Sequence, residues 1–155
     1  MGRTTLRFFG GTAFDPAVPT VLFVCVENTF RSVLSEALFN AQAPPGRQAE
    51  SAGVSPVAAI NPVAVDLLRE VGIPLGPKTP RGVTPALVAD AARVVTFGCL
   101  DRCPPGTEGK SEDWPVEGAT NKSVAQLRAI RDDLAARVSR LIRSRPPSGA
   151  SGERS

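Results

Sequence analysis

The sequence of 155 residues contains no histidine and only three cysteines. Without an imidazole, the chain cannot use a histidine base to activate a serine or cysteine nucleophile, so that class of catalysis is excluded. The same absence leaves zinc only an all-cysteine site, and three cysteines are one ligand short of it. No bound metal is therefore expected.

Aromatic residues are also scarce, at 5% of the chain, and are too scattered to form a platform for stacked nucleic-acid bases. No run of about eighteen apolar residues is present, and the N-terminus lacks the apolar core of a signal peptide. The formal charge of +3 comes from scattered arginines, among them Arg131, that are typical of a solvated helix face. We therefore expect a cytoplasmic monomer that binds neither nucleic acid nor membrane.

The first cysteine directly follows an apolar, strand-like run. Residues 21–24 lead into Cys25, and Arg31 and Ser32 complete a Cys-x5-Arg-Ser pattern ahead of a helical stretch. This order predicts a thiol in a loop between a buried strand and a helix N-terminus. Backbone N–H groups at such a place favour a thiolate and can cradle a tetrahedral oxyanion such as phosphate or arsenate.

The loop residues have distinct expected roles. The oxyanion cradle is predicted to comprise Val26, Glu27, Asn28, Thr29, Phe30 and Arg31. Arg31 offers a planar guanidinium that can hold two oxygens at once. Ser32 can donate a hydrogen bond to the Cys25 sulfur, and the Asn28 side chain can hold the loop. Glu27 opposes a bound anion, so its carboxylate is expected to point outwards.

The Cys-x5-Arg spacing alone is a weak signal, because a cysteine and an arginine at this separation often arise by chance. The competing interpretation is a buried cysteine at a strand end and an unrelated surface arginine. The strand before the loop and the helix after it favour the functional interpretation.

Four helices are predicted from hydrophobic periodicity and capping signals. They begin at Ser32, at Asn61-Pro62, at Thr84-Pro85 and at Ser123. Their predicted apolar faces include Ala37, Leu38 and Ala41 in the first helix, Val65, Leu68 and Val71 in the second, and Leu127, Ile130, Leu134, Val138, Leu141 and Ile142 in the last.

Three apolar segments are predicted to form strands, at residues 21–24, 48–52 and 93–97. At most one further short strand is expected, near Trp114. Strands that alternate with helices predict a parallel sheet with right-handed crossovers and helices on both faces. Functional groups of such sheets lie beyond the carboxyl ends of the strands, so Cys25 and Cys99 are expected at the same edge.

The chain is expected to contain one folded domain, at residues 20–144. Residues 1–19 carry glycines and prolines and are expected to form an irregular extension, and residues 145–155 a disordered tail. Residues 98–121 form a long loop, and loops of that length in a compact domain are usually functional.

The other two cysteines, Cys99 and Cys103, lie at the start of the long loop. One interpretation is a relay, in which one of them attacks an adduct on Cys25 and the other resolves the resulting disulfide. The other interpretation is a pair of incidental thiols, one of them buried in the core. The spacing of the two cysteines does not distinguish between these interpretations.

With these motifs, the chain resembles the low-molecular-weight phosphotyrosine phosphatase and arsenate reductase superfamily over residues 21–141. Four parts of the sequence carry the resemblance. The first is residues 21–32, and the second is residues 50–53 followed by 61–64. The third is residues 71–73 followed by Lys78 and Thr84-Pro85, and the fourth is residues 94–104 followed by 112–114. It implies a flavodoxin-like, three-layer α/β sandwich with a central four-stranded parallel sheet.

A cysteine pair after the third strand resembles the thiol-coupled arsenate reductases of this superfamily. By that resemblance Cys25 attacks arsenate and Arg31 clamps it. Cys99 then attacks the Cys25–arsenic adduct and releases arsenite, and Cys103 forms a disulfide with Cys99. The resemblance also implies no bound cofactor and an external reductant, either a thioredoxin- or mycoredoxin-type protein or a small thiol such as mycothiol.

The chain departs from the family pattern at two places in the site. Phe30 stands where the family has a small residue or a cysteine. The long loop of residues 98–121, called the late loop below, lacks the Asp-Pro pair that carries the general acid. Glu117 is the nearest candidate for protonating a leaving oxygen, with Asp113 and Asp101 as alternatives.

The potassium-binding positions of the family are matched at Asn28, Glu36 and Ser51. An acidic fourth partner is missing, so the potassium site is incomplete.

Three functions are compatible with these features. Thiol-dependent arsenate reduction is favoured. The second is hydrolysis of phosphomonoesters such as phosphotyrosine through a phosphocysteine, with Cys99 and Cys103 as redox protectors. The third is oxyanion binding without turnover.

Overall fold

The structure is a computed structural model that describes residues 18–144. The predicted tail, and residues 1–17 of the predicted N-terminal extension, lie outside the described residues. The described part forms β1 Thr20–Cys25, α1 Arg31–Gln42, β2 Gln48–Gly53, α2 Pro62–Glu70, α3 Pro85–Asp90, β3 Arg93–Thr96, β4 Ser111–Asp113 and α4 Val124–Arg143.

The strands form one parallel sheet in the order β2-β1-β3-β4. All six residues of the central strand β1 are buried, as expected for a strand covered on both faces. The predicted α/β architecture is therefore confirmed. The short strand expected near Trp114 is also confirmed, because β4 ends one residue before it.

Side chains of β1 alternate between two hydrophobic clusters on opposite faces of the sheet. Val21, Phe23 and Cys25 pack in the larger cluster with residues of α1, α2 and α4. Leu22 and Val24 pack in the smaller cluster with Val88 of α3 and with Cys99. Helices cover both faces, but three lie on one side and a single short helix on the other.

Three of the four helices have side-chain caps, and those at Asn61 and Thr84 are the ones that the sequence predicts. Asn61 and Thr84 each accept a bond from a backbone N–H of the first turn, and Ser123 forms a capping box with Gln126. Helix α1 differs, because Phe30 at its N-cap makes no side-chain hydrogen bond. Its first backbone N–H groups therefore have no side-chain cap. They lie at the loop of residues 25–31, which is called the oxyanion loop below.

Several predicted core positions are wrong in detail. In α1 Ala41 is exposed, and Phe39 is fully buried in its place. In α2 the buried residues are Ala64, Leu67 and Leu68, whereas Val65 is only partly buried and Val71 is exposed. In both helices the packed face is rotated by about one residue from the predicted one, because contacts with neighbouring helices decide which stripe is buried.

Four residues of the stripe predicted for α4 are buried, whereas Ile130 and Ile142 are only partly buried. The opposite face, predicted to be solvated, is not purely solvated. Arg131 has only 8% of its surface exposed. Its Nη1 donates to the Leu67 carbonyl and to Glu70 Oε1, at 3.1 and 2.7 Å, which joins α4 to α2. Hydrogen bonds from Arg128 and Arg131 lower the pKa of the Glu70 carboxyl to about 2.

None of the helices within residues 18–144 has the length and apolar character needed to cross a bilayer.

Candidate active site

Cys25 and the cysteine pair lie at the same edge of the sheet, as the parallel topology requires. Cys25 ends β1, and Cys99 follows β3, the strand that pairs with β1. The Cys99 thiol donates to the carbonyl of Val24, at 3.3 Å, so it lies beside the residue that precedes Cys25.

The loop after Cys25 is held from behind by Asn28. This residue is fully buried and has a left-handed backbone, with φ of 59°. Its Oδ1 accepts from the main-chain N–H of Arg81 at 2.9 Å. Its Nδ2 donates to Ser32 Oγ at 2.9 Å and to Ser51 Oγ at 3.0 Å. A single side chain thus ties the loop to α1, to β2 and to the segment that precedes α3.

These bonds fix the direction of the hydrogen bond to the nucleophile. Because the Asn28 oxygen is used as an acceptor, its amide nitrogen must be the donor to Ser32 Oγ. The Ser32 hydroxyl proton is then free to point to Cys25 Sγ, which lies 2.9 Å away. The Ser32 hydroxyl is therefore placed to donate to the sulfur of the nucleophile and to orient it.

Gly53 allows the loop to pass close to the end of β2. A Cβ atom at this position would lie 2.8 Å from the Val26 carbonyl oxygen and 2.9 Å from the Asn28 nitrogen. The residues beyond it pair with the loop, since the N–H groups of Val54 and Ser55 donate to the carbonyls of Cys25 and Val26. The loop's path therefore requires glycine at position 53.

A cavity of about 250 Å³ opens above the loop. It is lined by Cys25, Val26, Glu27, Thr29, Phe30, Arg31, Asn61, Gly118, Ala119 and Thr120. Five of the six predicted cradle residues line this cavity, whereas Asn28 lies behind the loop. The Glu27 side chain is exposed, as an acid beside an anion site must be.

Arg31 lies at the first residue of α1 and is positioned by the late loop. Its Nη1 donates to the Val116 carbonyl at 3.0 Å and makes a longer contact of 3.5 Å with the Phe97 carbonyl. The guanidinium carbon also lies 5.7 Å from the centre of the Phe97 ring. The side chain is thus anchored through one nitrogen, while Nε and Nη2 keep their own N–H donors.

The acids of the late loop lie outside the cavity lining. The Glu117 side chain is 76% exposed and forms an ion pair with Lys122 at 2.9 Å, which lowers the pKa of its carboxyl. Asp113 Oδ1 accepts from Thr96 Oγ1 and from the Gly98 nitrogen, both at 2.6 Å, and so stabilises the start of the long loop. Asp101 is exposed on the turn between the two cysteines. Their geometry supports none of these three residues as a general acid.

The cysteine pair differs in exposure and in proton affinity. Cys99 is buried, with 1% of its surface exposed, and Cys103 is partly buried. A hydrogen bond from the Cys103 thiol lowers the pKa of Cys99 to about 7, against the opposing effect of burial, and the charge of Arg31 acts in the same direction as the hydrogen bond. The same contact raises the pKa of Cys103, so Cys99 is the thiol that ionises first.

No role is predicted for Arg81 or Lys78 from the sequence. Arg81 bonds Asn28 across 53 residues of chain, and Lys78 pairs with Glu36 on α1. No local pattern marks such long-range contacts. Within residues 18–144, no group of three or more cysteine, aspartate and glutamate side chains is arranged to hold a metal ion.

Comparison with known proteins identifies relatives over most of the chain. A sequence profile of the low molecular weight phosphotyrosine protein phosphatase family matches residues 20–145. A putative arsenate reductase of Halobacterium salinarum is 30% identical over 122 residues, which cover 75% of this chain and 85% of that protein.

Two solved structures extend the comparison to the fold. An arsenate reductase of Archaeoglobus fulgidus is 33% identical with a TM-score of 0.68, and the match covers 80% of this chain and 99% of that one. A thioredoxin-dependent arsenate reductase of Corynebacterium glutamicum is 32% identical, also with a TM-score of 0.68. That match covers 80% of this chain but only 60% of the length of the Corynebacterium chain. The match of the profile, the parallel sheet and the Cys-x5-Arg loop agree, and the chain belongs to the low molecular weight phosphotyrosine protein phosphatase family.

Proposed function

We propose that this protein is a thiol-dependent arsenate reductase. The observation that carries the proposal is the position of Cys99, which contacts the end of β1 next to Cys25 and is hydrogen-bonded by Cys103. A phosphatase needs a single nucleophilic cysteine, whereas a redox relay needs a second and a third thiol near it. Relatives at 30–33% identity are named arsenate reductases, which supports the same choice.

In the first step the Cys25 thiolate attacks the arsenic of arsenate. A sulfur–arsenic bond forms, one arsenic–oxygen bond breaks, and the oxygen leaves as water once it is protonated. Backbone N–H groups of the loop bind the remaining oxygens, and the Nε and Nη2 donors of Arg31 bind two of them. Ser32 orients the sulfur for attack through its hydrogen bond.

In the second step the Cys99 thiolate attacks the Cys25 sulfur. A disulfide forms, and the electron pair of the sulfur–arsenic bond passes to arsenic, which is reduced from As(V) to As(III) and leaves as arsenite. Cys103 then loses its proton and attacks Cys99, which expels Cys25 as a thiolate. The product is a Cys99–Cys103 disulfide, which two electrons from an external thiol reductant return to thiols.

The second step requires a movement of the backbone. Cys25 packs in the cluster on one face of the sheet and Cys99 in the cluster on the other. Gly98 precedes Cys99, is exposed and has a left-handed φ of 81°, which glycine adopts without strain. Rotation at this residue can bring the Cys99 sulfur to Cys25 without disturbing β3.

The reductant is an external thiol. The Corynebacterium relative is thioredoxin-dependent, which supports a thioredoxin-type protein for this chain as well. A mycoredoxin-type protein or a small thiol remains the alternative, and a steady-state assay with each reductant separates them.

The proposal is tested by mass spectrometry after one arsenate turnover without reductant. We expect one arsenite per protein, a disulfide between Cys99 and Cys103, and Cys25 recovered as a free thiol. A phosphatase instead yields no arsenite and hydrolyses an aryl phosphate in variants that lack Cys99 and Cys103. Oxyanion binding with neither product would indicate the non-catalytic module. None of the late-loop acids Glu117, Asp113 and Asp101 lines the cavity, which disfavours the phosphatase, because an alkoxide or phenoxide leaving group needs a proton more than arsenate oxygen does.

The ionisation of Cys99 gives a second prediction. Alkylation of Cys99 by iodoacetamide, followed by peptide mass spectrometry, is expected to rise with a midpoint near pH 7, because only the thiolate reacts. Cys103→Ala removes the main cause of the low pKa and is expected to move the midpoint towards about 8.5, the ordinary thiol value. Cys103→Ser keeps a hydrogen-bond donor and is expected to retain part of the shift. Identical midpoints in all three proteins would contradict this account.

A further inference from the structure

A lysine ammonium contacts Glu36, one of the residues that match the potassium-binding positions of the family. Lys78 Nζ is 2.8 Å from Glu36 Oε1, and the same carboxylate oxygen accepts from Ser51 Oγ at 2.6 Å. The Lys78 and Glu36 side chains are 23% and 18% exposed, so this ion pair is largely shielded from solvent. Shielded pairs are screened by salt less than surface pairs.

Arg81 also contacts this group of residues. Its Nε donates to the carbonyl oxygen of Ser51 at 3.0 Å, and its Nη2 lies 3.3 Å from Glu50 Oε1. Its main-chain N–H donates to Asn28 Oδ1. Two positive side chains therefore reach the oxygens of Glu36 and Ser51.

These contacts do not fit a bound potassium ion. A monovalent cation needs several oxygen ligands that are free of other cations. Here the Glu36 carboxylate is paired with Lys78, and the Ser51 carbonyl with Arg81. A further cation at this place would be repelled by two fixed positive charges.

We propose that the Lys78 ammonium, supported by Arg81, replaces the monovalent cation and makes the oxyanion loop independent of added ions. The inference assumes that the loop is the oxyanion site of the proposed function. Lys78 acts as a positioning residue, since it reaches Cys25 only through a chain of hydrogen bonds. That chain runs through Glu36, Ser51, Asn28 and Ser32.

The direction of the hydrogen bonds in this series explains why a positive charge is needed at its end. Lys78 holds the Glu36 carboxylate by an ion pair of 2.8 Å, and the same carboxylate oxygen accepts the Ser51 hydroxyl proton. Ser51 Oγ is then left as the acceptor for Asn28 Nδ2, which also donates to Ser32. Without the ammonium, the Glu36 carboxylate is no longer held beside Ser51, which weakens the bond that holds Asn28.

The experiment is a chemical rescue of Lys78→Ala, which removes the ammonium and leaves room for an ion. Thermal melting temperature and the dissociation constant for inorganic phosphate are measured in chlorides of tetramethylammonium, sodium, potassium and ammonium at equal ionic strength. The wild-type protein is expected to give the same values in all four salts. In tetramethylammonium the variant is expected to bind phosphate about tenfold more weakly, as when a supporting partner of a ligand-binding group is lost. Potassium or ammonium is expected to restore its affinity and melting temperature, and Lys78→Arg to need no rescue.

Lys122→Ala is the matched control, because Lys122 also pairs with a glutamate, at 2.9 Å, but has no link to the loop. Its melting temperature is expected to respond equally to all four cations. The proposal is overturned if potassium stabilises the wild-type protein specifically, or if no cation restores Lys78→Ala. Neither measurement requires turnover, so failure of arsenate reduction would leave this result standing, and the reverse also holds.

Discussion

Replacement of Cys25 by serine is expected to lower the rate of arsenate reduction by about 10⁴-fold or more, the scale on which a covalent nucleophile contributes. A serine hydroxyl is a much weaker nucleophile than a thiolate, and oxygen cannot form the sulfur–arsenic bond through which arsenic receives electrons. Phosphate binding is expected to persist, because the backbone N–H groups and Arg31 are unchanged. Arsenite formation and phosphate affinity are the two measurements.

Cys103→Ser is the matched control, because it removes a different thiol by the same substitution. The variant is expected to release one arsenite per protein and then stop, with a disulfide between Cys25 and Cys99. Equal, complete inactivity of both variants in the first turnover would contradict the assigned order of attack. Activity that survives in Cys25→Ser would show that another residue is the nucleophile.

Gly53→Ala is expected to disable the loop although residue 53 lies outside the cavity lining. The new Cβ would lie 2.8 Å from the Val26 carbonyl oxygen and 2.9 Å from the Asn28 nitrogen, and both atoms belong to the backbone, which cannot rotate away. Overpacking of this kind costs about 1–3 kcal/mol of unfolding free energy. A shift of the loop by about 1 Å is expected to lower turnover by about 10²-fold.

Gly76→Ala is the comparison for this effect, since a Cβ there meets no atom within 4 Å. That variant is expected to be neutral or to gain about 0.5 kcal/mol, because alanine restricts the unfolded chain. Denaturant unfolding and single-turnover arsenite release are measured on both. Normal activity in Gly53→Ala would show that the loop can be displaced without loss of function.

Much of the fold follows from local sequence. The apolar run before Cys25, the caps at Asn61, Thr84 and Ser123, and the alternation of strands with helices each act over a few residues, so they can be read without knowledge of the rest of the chain. Parallel pairing then places the ends of β1 and β3 at one edge, which brings Cys99 towards Cys25.

Residues whose environment is made by distant parts of the chain could not be placed from the sequence. The sequence predicts Arg131 on a solvated face, but Leu67 and Glu70 of α2 bury it. The late loop turns Glu117, the nearest candidate acid, to solvent and to Lys122, and its role as an acid stays a prediction. Neither residue differs in sequence pattern from an ordinary surface charge.

The order of the elements and the type of chemistry can be predicted from the sequence, because a buried strand, a cysteine and a helix start are local properties of backbone and side chain. The polar groups that orient the nucleophile become apparent only once the chain is folded. The series of hydrogen bonds from Lys78 to Cys25 joins segments that are far apart in sequence. Such contacts depend on how the helices and strands pack together, and hydrogen-bond partners cannot be assigned before that packing is known.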